Sequence, residues 1–174
     1  MKKILLSVLS VLVLVQSASA FEEKVVAVRS EKMNKDVPVT VILPDGYADI
    51  DKLPVLYLLN GWSGTHRHWP ERGNVGPLAD MYDVILVMPD TGYDSWYFDS
   101  NVTPEYQYET FVTKELIQYV DSNFKTIPDR GGRAITGLSM GGHGALFLSF
   151  RHQDIFGSAG SMSGGVDIRP FPEK

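Results

Sequence analysis

The sequence contains no cysteine, has few basic residues and has only one long apolar run. Without cysteine, the chain cannot form disulfides, use a thiolate nucleophile or bind zinc through sulfur. It has 16 Lys and Arg against 21 Asp and Glu, a net charge of −5, and so lacks the basic excess that nucleic-acid binding needs. Apolar residues make up 44% of the chain, which is typical of a protein with a buried core. The composition therefore predicts a folded domain with no nucleic-acid partner.

The one long apolar run lies at the N-terminus. Two lysines precede the run at 4–16, and three small residues follow it at 18–20. This order of basic, apolar and small residues is typical of a secretory signal peptide, and the run is shorter than the about 20 residues that span a bilayer. We therefore expect residues 1–20 to be removed. This expectation predicts a secreted or periplasmic protein, without stable membrane insertion, whose single domain lies in residues 21–174.

From residue 21 onward, strand-like and helix-like patterns alternate. Runs of β-branched and apolar residues predict strands at 24–28, 37–43, 55–59, 84–88, 133–136 and near 157–162. Apolar residues three or four apart predict a helix between 103 and 124, with Thr103 as its N-cap and Pro104 in its first turn. A second helix is predicted at about 140–150. This alternation favours an α/β fold with a mostly parallel sheet and helices on both faces.

The most informative motif is Gly137-Leu138-Ser139-Met140-Gly141, a G-x-S-x-G sequence between a predicted strand and a predicted helix. In a nucleophile elbow, the serine occupies a sharp strand-to-helix turn that projects its hydroxyl above the sheet. The two glycines let the neighbouring backbone approach closely. The alternative is a glycine-rich turn that contains a serine without catalytic role. The strand-turn-helix context favours Ser139 as a nucleophile.

A second segment, Leu58 to Gly64, follows the third predicted strand and contains Asn60-Gly61. In elbow-type hydrolases, the corresponding loop supplies one backbone N–H of the oxyanion hole, and the residue after the serine supplies the other. Here these donors are the amides of Trp62 and Met140. A plain turn is the alternative for Asn60-Gly61, and the elbow downstream favours the functional interpretation.

Five segments carry a resemblance to a known family, at 58–64, 87–90, 95–97, 134–145 and 154–165. They resemble the esterase D-like family of α/β hydrolases, which includes S-formylglutathione hydrolases, tributyrin esterases, feruloyl esterases and mycolyltransferases. The resemblance implies an α/β-hydrolase fold and hydrolysis of carboxylic esters through an acyl-serine, without a metal or organic cofactor. It also implies the roles given above, with Ser139 as the nucleophile and Trp62 and Met140 as oxyanion donors.

Several aromatic and imidazole side chains are candidates for the surroundings of the site. We predict that Trp96, Tyr97 and His143 line the substrate pocket, with packing in the core or in loops as the alternative for the aromatic residues. The segment His66-Arg67-His68 together with Glu71 offers metal-ligating side chains, but no third ligand at a useful spacing. The sequence therefore predicts no metal site.

The sequence departs from the family in the partners that a serine nucleophile needs. In this fold an acid and then a histidine follow the serine along the chain. No histidine follows any of the three acidic residues after Ser139. His143 lies on the helix that leaves the elbow, directed away from the hydroxyl, and His152 is better suited to the helix end. We expect residues 21–174 to be the N-terminal two-thirds of an α/β-hydrolase domain, with the C-terminal strands, the acid and the base missing.

Three hypotheses about function follow. The first is a secreted serine carboxylesterase acting on short-chain or carbohydrate-linked esters, small molecules or glycans, through an acyl-serine. The alternatives are a non-catalytic relative that binds esters or glycans, and an inactive fragment. The sequence does not distinguish among ester substrates, between hydrolysis and acyl transfer, or among oligomeric states.

Overall fold

A computed structural model describes residues 21–167, so the predicted signal peptide at 1–20 lies outside the described residues. The strands are β1 (Glu22–Ser30), β2 (Lys35–Leu43), β3 (Val55–Leu59), β4 (Ile85–Pro89), β5 (Arg133–Gly137) and β6 (Ser158–Ala159). The helices are α1 (His68–Gly73), α2 (Gly76–Tyr82), α3 (Tyr108–Thr110), α4 (Ile117–Asn123) and α5 (Met140–Arg151), and a π-helical segment, Phe111–Leu116, joins α3 to α4. Each predicted strand is present, and the predicted second helix is α5.

The strands form one six-stranded sheet in the order β1-β2-β4-β3-β5-β6. The β1–β2 and β2–β4 pairs are antiparallel, whereas β4, β3, β5 and β6 are parallel to one another. In the central pair, Leu59 at the end of β3 lies opposite Gly137 at the end of β5. Because the two strands are parallel, the loops that follow them leave the same edge of the sheet. The two segments predicted to form the site therefore lie side by side.

Helices cover both faces of the sheet, because strands that are apolar on both sides must be buried on both. On one face, α5 and the segment 108–123 pack against alternate strand residues such as Tyr57 and Leu59. On the other face, Ala79 of α2 and Val75, the residue before α2, pack against a smaller cluster that includes Leu58. The predicted α/β-hydrolase architecture is confirmed.

The long helix begins four residues later than its predicted first turn. Residues 103–106 form a turn, and the helix starts at Tyr108 with Gln107 before it. The Thr103 N-cap is therefore wrong. The Asp99 carboxylate, from the preceding loop, caps this helix instead by accepting a hydrogen bond from the Thr110 amide at 3.0 Å. The predicted apolar stripe is nevertheless buried, at Tyr108, Phe111, Val112, Leu116 and Val120.

The parallel end of the sheet finishes at β6, whose two residues, Ser158 and Ala159, are both exposed. Among residues 21–167, no helix has the length and apolar character to cross a bilayer. Within the same residues, no group of three acidic or histidine side chains is arranged to hold a metal ion.

Candidate active site

Ser139 occupies a strained turn between β5 and α5. Its backbone has φ 56° and ψ −115°, a positive φ that few residues other than glycine adopt. Such a conformation costs about 1–3 kcal/mol and persists only where the surrounding structure enforces it. The Ser139 N–H donates to the Met162 carbonyl at 2.9 Å, and the Ser139 carbonyl accepts the His143 N–H at 3.0 Å. The turn is thus fixed on both sides, and Ser139 is exposed.

The two glycines of the motif are required by close backbone packing. A Cβ atom at Gly137 would lie 2.5 Å from the Gly141 carbonyl oxygen. A Cβ atom at Gly141 would lie 2.3 Å from the Leu59 carbonyl oxygen. Neither backbone group can move aside as a flexible side chain could. Both glycines therefore let β3, β5 and α5 meet at the elbow, as the sequence pattern predicts.

The loop after β3 reaches the elbow directly. A Cβ atom built on Gly61 would lie 3.6 Å from Ser139 Cβ and 3.2 Å from the Leu138 carbonyl oxygen. Trp62 is the next residue of that loop, and Met140 is the first residue of α5. Within residues 21–167, neither the Trp62 nor the Met140 amide has a hydrogen-bond partner. A developing oxyanion requires free N–H donors of this kind, and the assignment of these two amides to that role stays a prediction.

A buried polar network that the sequence analysis missed organises this loop. The Asn60 side-chain amide donates to the carbonyls of Gly61 at 3.0 Å and Gly64 at 3.1 Å. The Thr91 hydroxyl donates to Asn60 Oδ1 at 2.8 Å. The Tyr97 hydroxyl donates to the Asn60 carbonyl at 2.8 Å and lies 2.9 Å from the Thr91 oxygen. The only sequence signal for this network was an asparagine, followed by glycine, at the end of a buried strand.

Tyr97 does not line a substrate pocket, contrary to the prediction. Its side chain is fully buried, and its hydroxyl is used within the network. Burial also raises the pKa of the phenol, so the hydroxyl stays protonated and donates to Asn60. A Cβ atom on Gly144 would lie 2.3 Å from the Tyr97 ring, because the ring packs directly against α5. Tyr97 therefore stabilises the loop at Asn60 from inside the core.

Trp96 and His143, by contrast, lie together at the surface of the core. Their ring centroids are 5.3 Å apart in an edge-to-face arrangement, and Phe98 and Phe147 complete an aromatic enclosure around the imidazole. His143 Nδ1 lies 2.9 Å from the Gly165 carbonyl, which assigns the ring proton to Nδ1. Burial lowers the pKa of His143. Trp96 also lines a cavity of about 510 Å³ with Ser95, Phe98, Ser100, Val102, Thr103, Tyr106 and Asp94, and its role toward substrate stays a prediction.

None of the four histidine side chains is hydrogen-bonded to Ser139 in the described part of the chain. His66 Nδ1 lies 2.8 Å from the Thr40 hydroxyl, and His152 Nε2 lies 2.8 Å from a Glu109 carboxylate oxygen. His143 faces Gly165, as described above. The remaining one, His68, packs beside Gly64 at the start of α1. Ser139 and the loop after β3 thus lie together, with no histidine side chain among residues 21–167 placed to act as a base for the serine.

Comparison with known proteins gives the family. Residues 30–172 match the Esterase family model, described as "Putative esterase". The chain belongs to this esterase family. A solved ferulic acid esterase has a TM-score of 0.77 and 34% identity, and the match covers 86% of this chain. Esterase Rv1288 of Mycobacterium tuberculosis is 37% identical over 136 residues, 75% of this chain. The endo-1,4-beta-xylanase/feruloyl esterase of Xylanibacter ruminicola is 34% identical over 151 residues, 79% of this chain.

These matches cover only part of each relative. The chain spans 30% of Esterase Rv1288, 21% of the xylanase/feruloyl esterase and 62% of the solved ferulic acid esterase chain. The part of this esterase chain that the family model matches includes the loop after β3, the elbow and α5. The family resemblance inferred from the sequence is confirmed, and so is the fold. The roles assigned to individual residues stay predictions.

Proposed function

We propose that this chain supplies the nucleophile and the oxyanion donors for hydrolysis of carboxylic esters through an acyl-serine at Ser139. The observation that carries the proposal is the strained Ser139 turn, which precedes Met140 and packs against Gly61, the residue before Trp62. Among residues 21–167, the Trp62 and Met140 amides have no hydrogen-bond partner. Backbone strain of this kind clusters at functional sites, and Ser139 is exposed at this turn. Membership of the esterase family and the ferulic acid esterase likeness support the same reaction class.

In the proposed reaction, Ser139 Oγ attacks the ester carbonyl carbon while a base accepts the hydroxyl proton. The carbonyl oxygen becomes an oxyanion, which accepts hydrogen bonds from the Trp62 and Met140 amides, and the N-terminal end of α5 favours its negative charge. The C–O bond then breaks, and the alcohol leaves with the proton. Water hydrolyses the acyl-serine and releases the acid. We propose short-chain or carbohydrate-linked esters as substrates.

A second function is favoured by a specific observation. No histidine side chain is hydrogen-bonded to Ser139 among residues 21–167, and a serine without a base is a poor nucleophile. A non-catalytic protein that binds esters or glycans would have the same fold and the same loop after β3. The two functions differ in whether Ser139 reacts covalently.

Covalent labelling distinguishes them. The chain is incubated with a fluorophosphonate, with and without added imidazole as an external base, and the modified peptide is identified by mass spectrometry. The proposal predicts label on Ser139, faster with imidazole, and none on the Ser139→Ala variant. Ser149→Ala is the matched control, because Ser149 lies on α5 with its hydroxyl bonded to the Leu146 carbonyl. Equal labelling of wild type and Ser139→Ala, or no labelling at all, contradicts the proposal and leaves the binding function.

We also propose export. The support is the order of lysines, apolar run and small residues at 1–20. Expression with these residues present should yield an exported protein that begins at Phe21, as read by N-terminal sequencing. Retention of residues 1–20 on the protein recovered from the cell would contradict export.

A further inference from the structure

A small polar cavity adjoins the loop that carries the proposed oxyanion donor. Its volume is about 210 Å³, and it is lined by Trp62, Ser63, Gly64, Thr65, His68, Glu71 and Arg72. This volume is below the about 300 Å³ at which pockets for drug-sized ligands begin, so the cavity suits a single ring. The loop residue before Trp62, Gly61, packs against Ser139. The cavity therefore adjoins the loop that packs against Ser139.

Trp62 presents an exposed aromatic surface to this cavity. Its side chain is 49% exposed, and Tyr93 beside it is 55% exposed. The two rings meet edge to face with centroids 4.7 Å apart, and the Ser63 N–H donates to the Tyr93 carbonyl at 2.7 Å. The loop that contains Tyr93 thus fixes the backbone at Ser63 and packs against one side of the Trp62 indole. A large, positioned aromatic ring that remains exposed offers a stacking surface at a low entropy cost to the protein.

The polar groups of the cavity are of mixed charge. Glu71 accepts a hydrogen bond from Arg67 Nε at 3.2 Å, while Arg72 follows it on α1 and adds a positive charge. Burial, followed by the Arg72 charge, lowers the pKa of His68, so its imidazole is neutral and can both donate and accept. The hydroxyls of Ser63 and Thr65 can do the same. Such a lining matches a neutral ligand with several hydroxyls better than it matches an ionic one.

We infer that this cavity, defined here as the Trp62 cavity, binds one sugar ring of the alcohol part of the ester substrate. The inference rests on the proposed function and deepens it, because it assigns the substrate to carbohydrate-linked rather than simple alkyl esters. The sugar stacks its apolar face on the exposed indole of Trp62. Its hydroxyls exchange hydrogen bonds with His68, Glu71 and Arg72. No covalent step occurs in the cavity.

Isothermal titration calorimetry with unesterified sugars tests this inference without requiring turnover. Xylohexaose and cellohexaose are titrated into the chain and into Trp62→Ala, Trp62→Phe and Tyr82→Ala variants. Stacking on an aromatic ring contributes about 0.5–1.5 kcal/mol, equivalent to an affinity change of up to about tenfold. We expect Trp62→Ala to lose about this much, and Trp62→Phe to recover part of it. Tyr82→Ala is the matched control, because Tyr82 is an exposed aromatic residue on α2 outside the cavity.

A further variant tests whether a loss of binding reflects misfolding. A change of salt concentration tests whether the binding is simple ionic attraction. Arg72→Met should weaken binding while leaving the circular dichroism spectrum unchanged, and binding of a neutral sugar should change little with salt. Ser139→Ala should bind the sugars as wild type does, so loss of labelling at Ser139 and loss of sugar binding are separate results. The inference is overturned if neither sugar binds wild type saturably up to its solubility. It is also overturned if Trp62→Ala binds as tightly as wild type.

Discussion

The Tyr97 hydroxyl donates a hydrogen bond of 2.8 Å to the backbone carbonyl of Asn60, at the end of β3. This bond joins the loop before the long helix to the loop that carries the proposed oxyanion donor. Both residues are buried, so no water can replace a lost partner without a rearrangement. The position of the Trp62 amide therefore depends on a side chain from a distant part of the sequence.

Removal of this hydroxyl is expected to destabilise the protein. Tyr97→Phe keeps the ring packed against α5 but leaves the Asn60 carbonyl without its donor, which costs about 1–3 kcal/mol. The free energy of unfolding, measured by urea denaturation, checks this value. Tyr93→Phe is the control, because Tyr93 is exposed, and it should change stability by no more than about 0.5 kcal/mol. Equal effects of the two substitutions would show that the Asn60 bond contributes nothing.

The elbow glycine at position 141 should tolerate no side chain. In Gly141→Ala, the new methyl group meets the Leu59 carbonyl oxygen at 2.3 Å, so β3 and α5 must separate. Overpacking of this kind typically costs about 1–3 kcal/mol and occasionally more. We expect the free energy of unfolding to fall by about 3 kcal/mol or more, as measured by thermal or urea unfolding.

Gly131→Ala is the control for this substitution. The atom nearest to a Cβ at Gly131 is an Asp129 carboxylate oxygen at 3.1 Å, which can rotate away. This variant should stay close to wild type in stability. A Gly141→Ala protein as stable as Gly131→Ala would mean that the backbone contact at the elbow is looser than described.

Stability is expected to fall as the pH is lowered through the histidine range. Burial lowers the pKa of His66, His68 and His143 in the folded state below the ordinary value of 6.5. The unfolded chain then binds more protons than the folded chain just below pH 6.5, so acidification favours unfolding. The stabilising effect of the neutral imidazoles is present above the unfolded pKa and is lost as the pH falls toward the folded pKa values.

Urea denaturation between about pH 7.5 and pH 5.5, a range in which histidine is the main titrating side chain, measures this slope. His143→Asn should reduce the slope in part, because His66 and His68 still contribute. The readout is the slope and not the absolute stability, since the substitution also removes ring contacts. An unchanged slope in His143→Asn, or stability that rises on acidification, would contradict the prediction.

A buried ion pair at the start of β5 should contribute to stability when intact. Arg133 is 9% exposed, and its guanidinium donates to the Asp121 carboxylate, which also accepts from the Thr126 hydroxyl at 2.7 Å. Asp121→Ala leaves the buried Arg133 charge unpaired, at a cost of about 3 kcal/mol. Urea denaturation measures the loss. Glu22→Ala, which removes an exposed pair with Lys24, should cost no more than about 0.5 kcal/mol, and a similar loss in both variants would contradict the expected burial effect.

The strands and the elbow could be predicted because their signals are local. A run such as 84–88 is apolar on both faces, and few structures other than a covered parallel strand accept it. Gly137 and Gly141 flank the serine at the spacing that one strand-to-helix turn requires. The start of the long helix could not be predicted in the same way. Its cap, Asp99, accepts a hydrogen bond from Thr110 but belongs to the preceding loop. The pair Thr103-Pro104 is equally typical of a turn and of a helix start.

The sequence by itself determined the fold class, the family resemblance and the serine turn, since each depends on residue types at short, fixed spacings. Only the tertiary structure decided that Tyr97 is buried support rather than pocket lining, that Asn60 holds the loop after β3, and that Trp62 faces a polar cavity. These relationships join residues that are distant in the chain. They arise because parallel packing of β3 beside β5 brings their loops to one edge of the sheet, and a pattern read along the chain does not record which loops meet there.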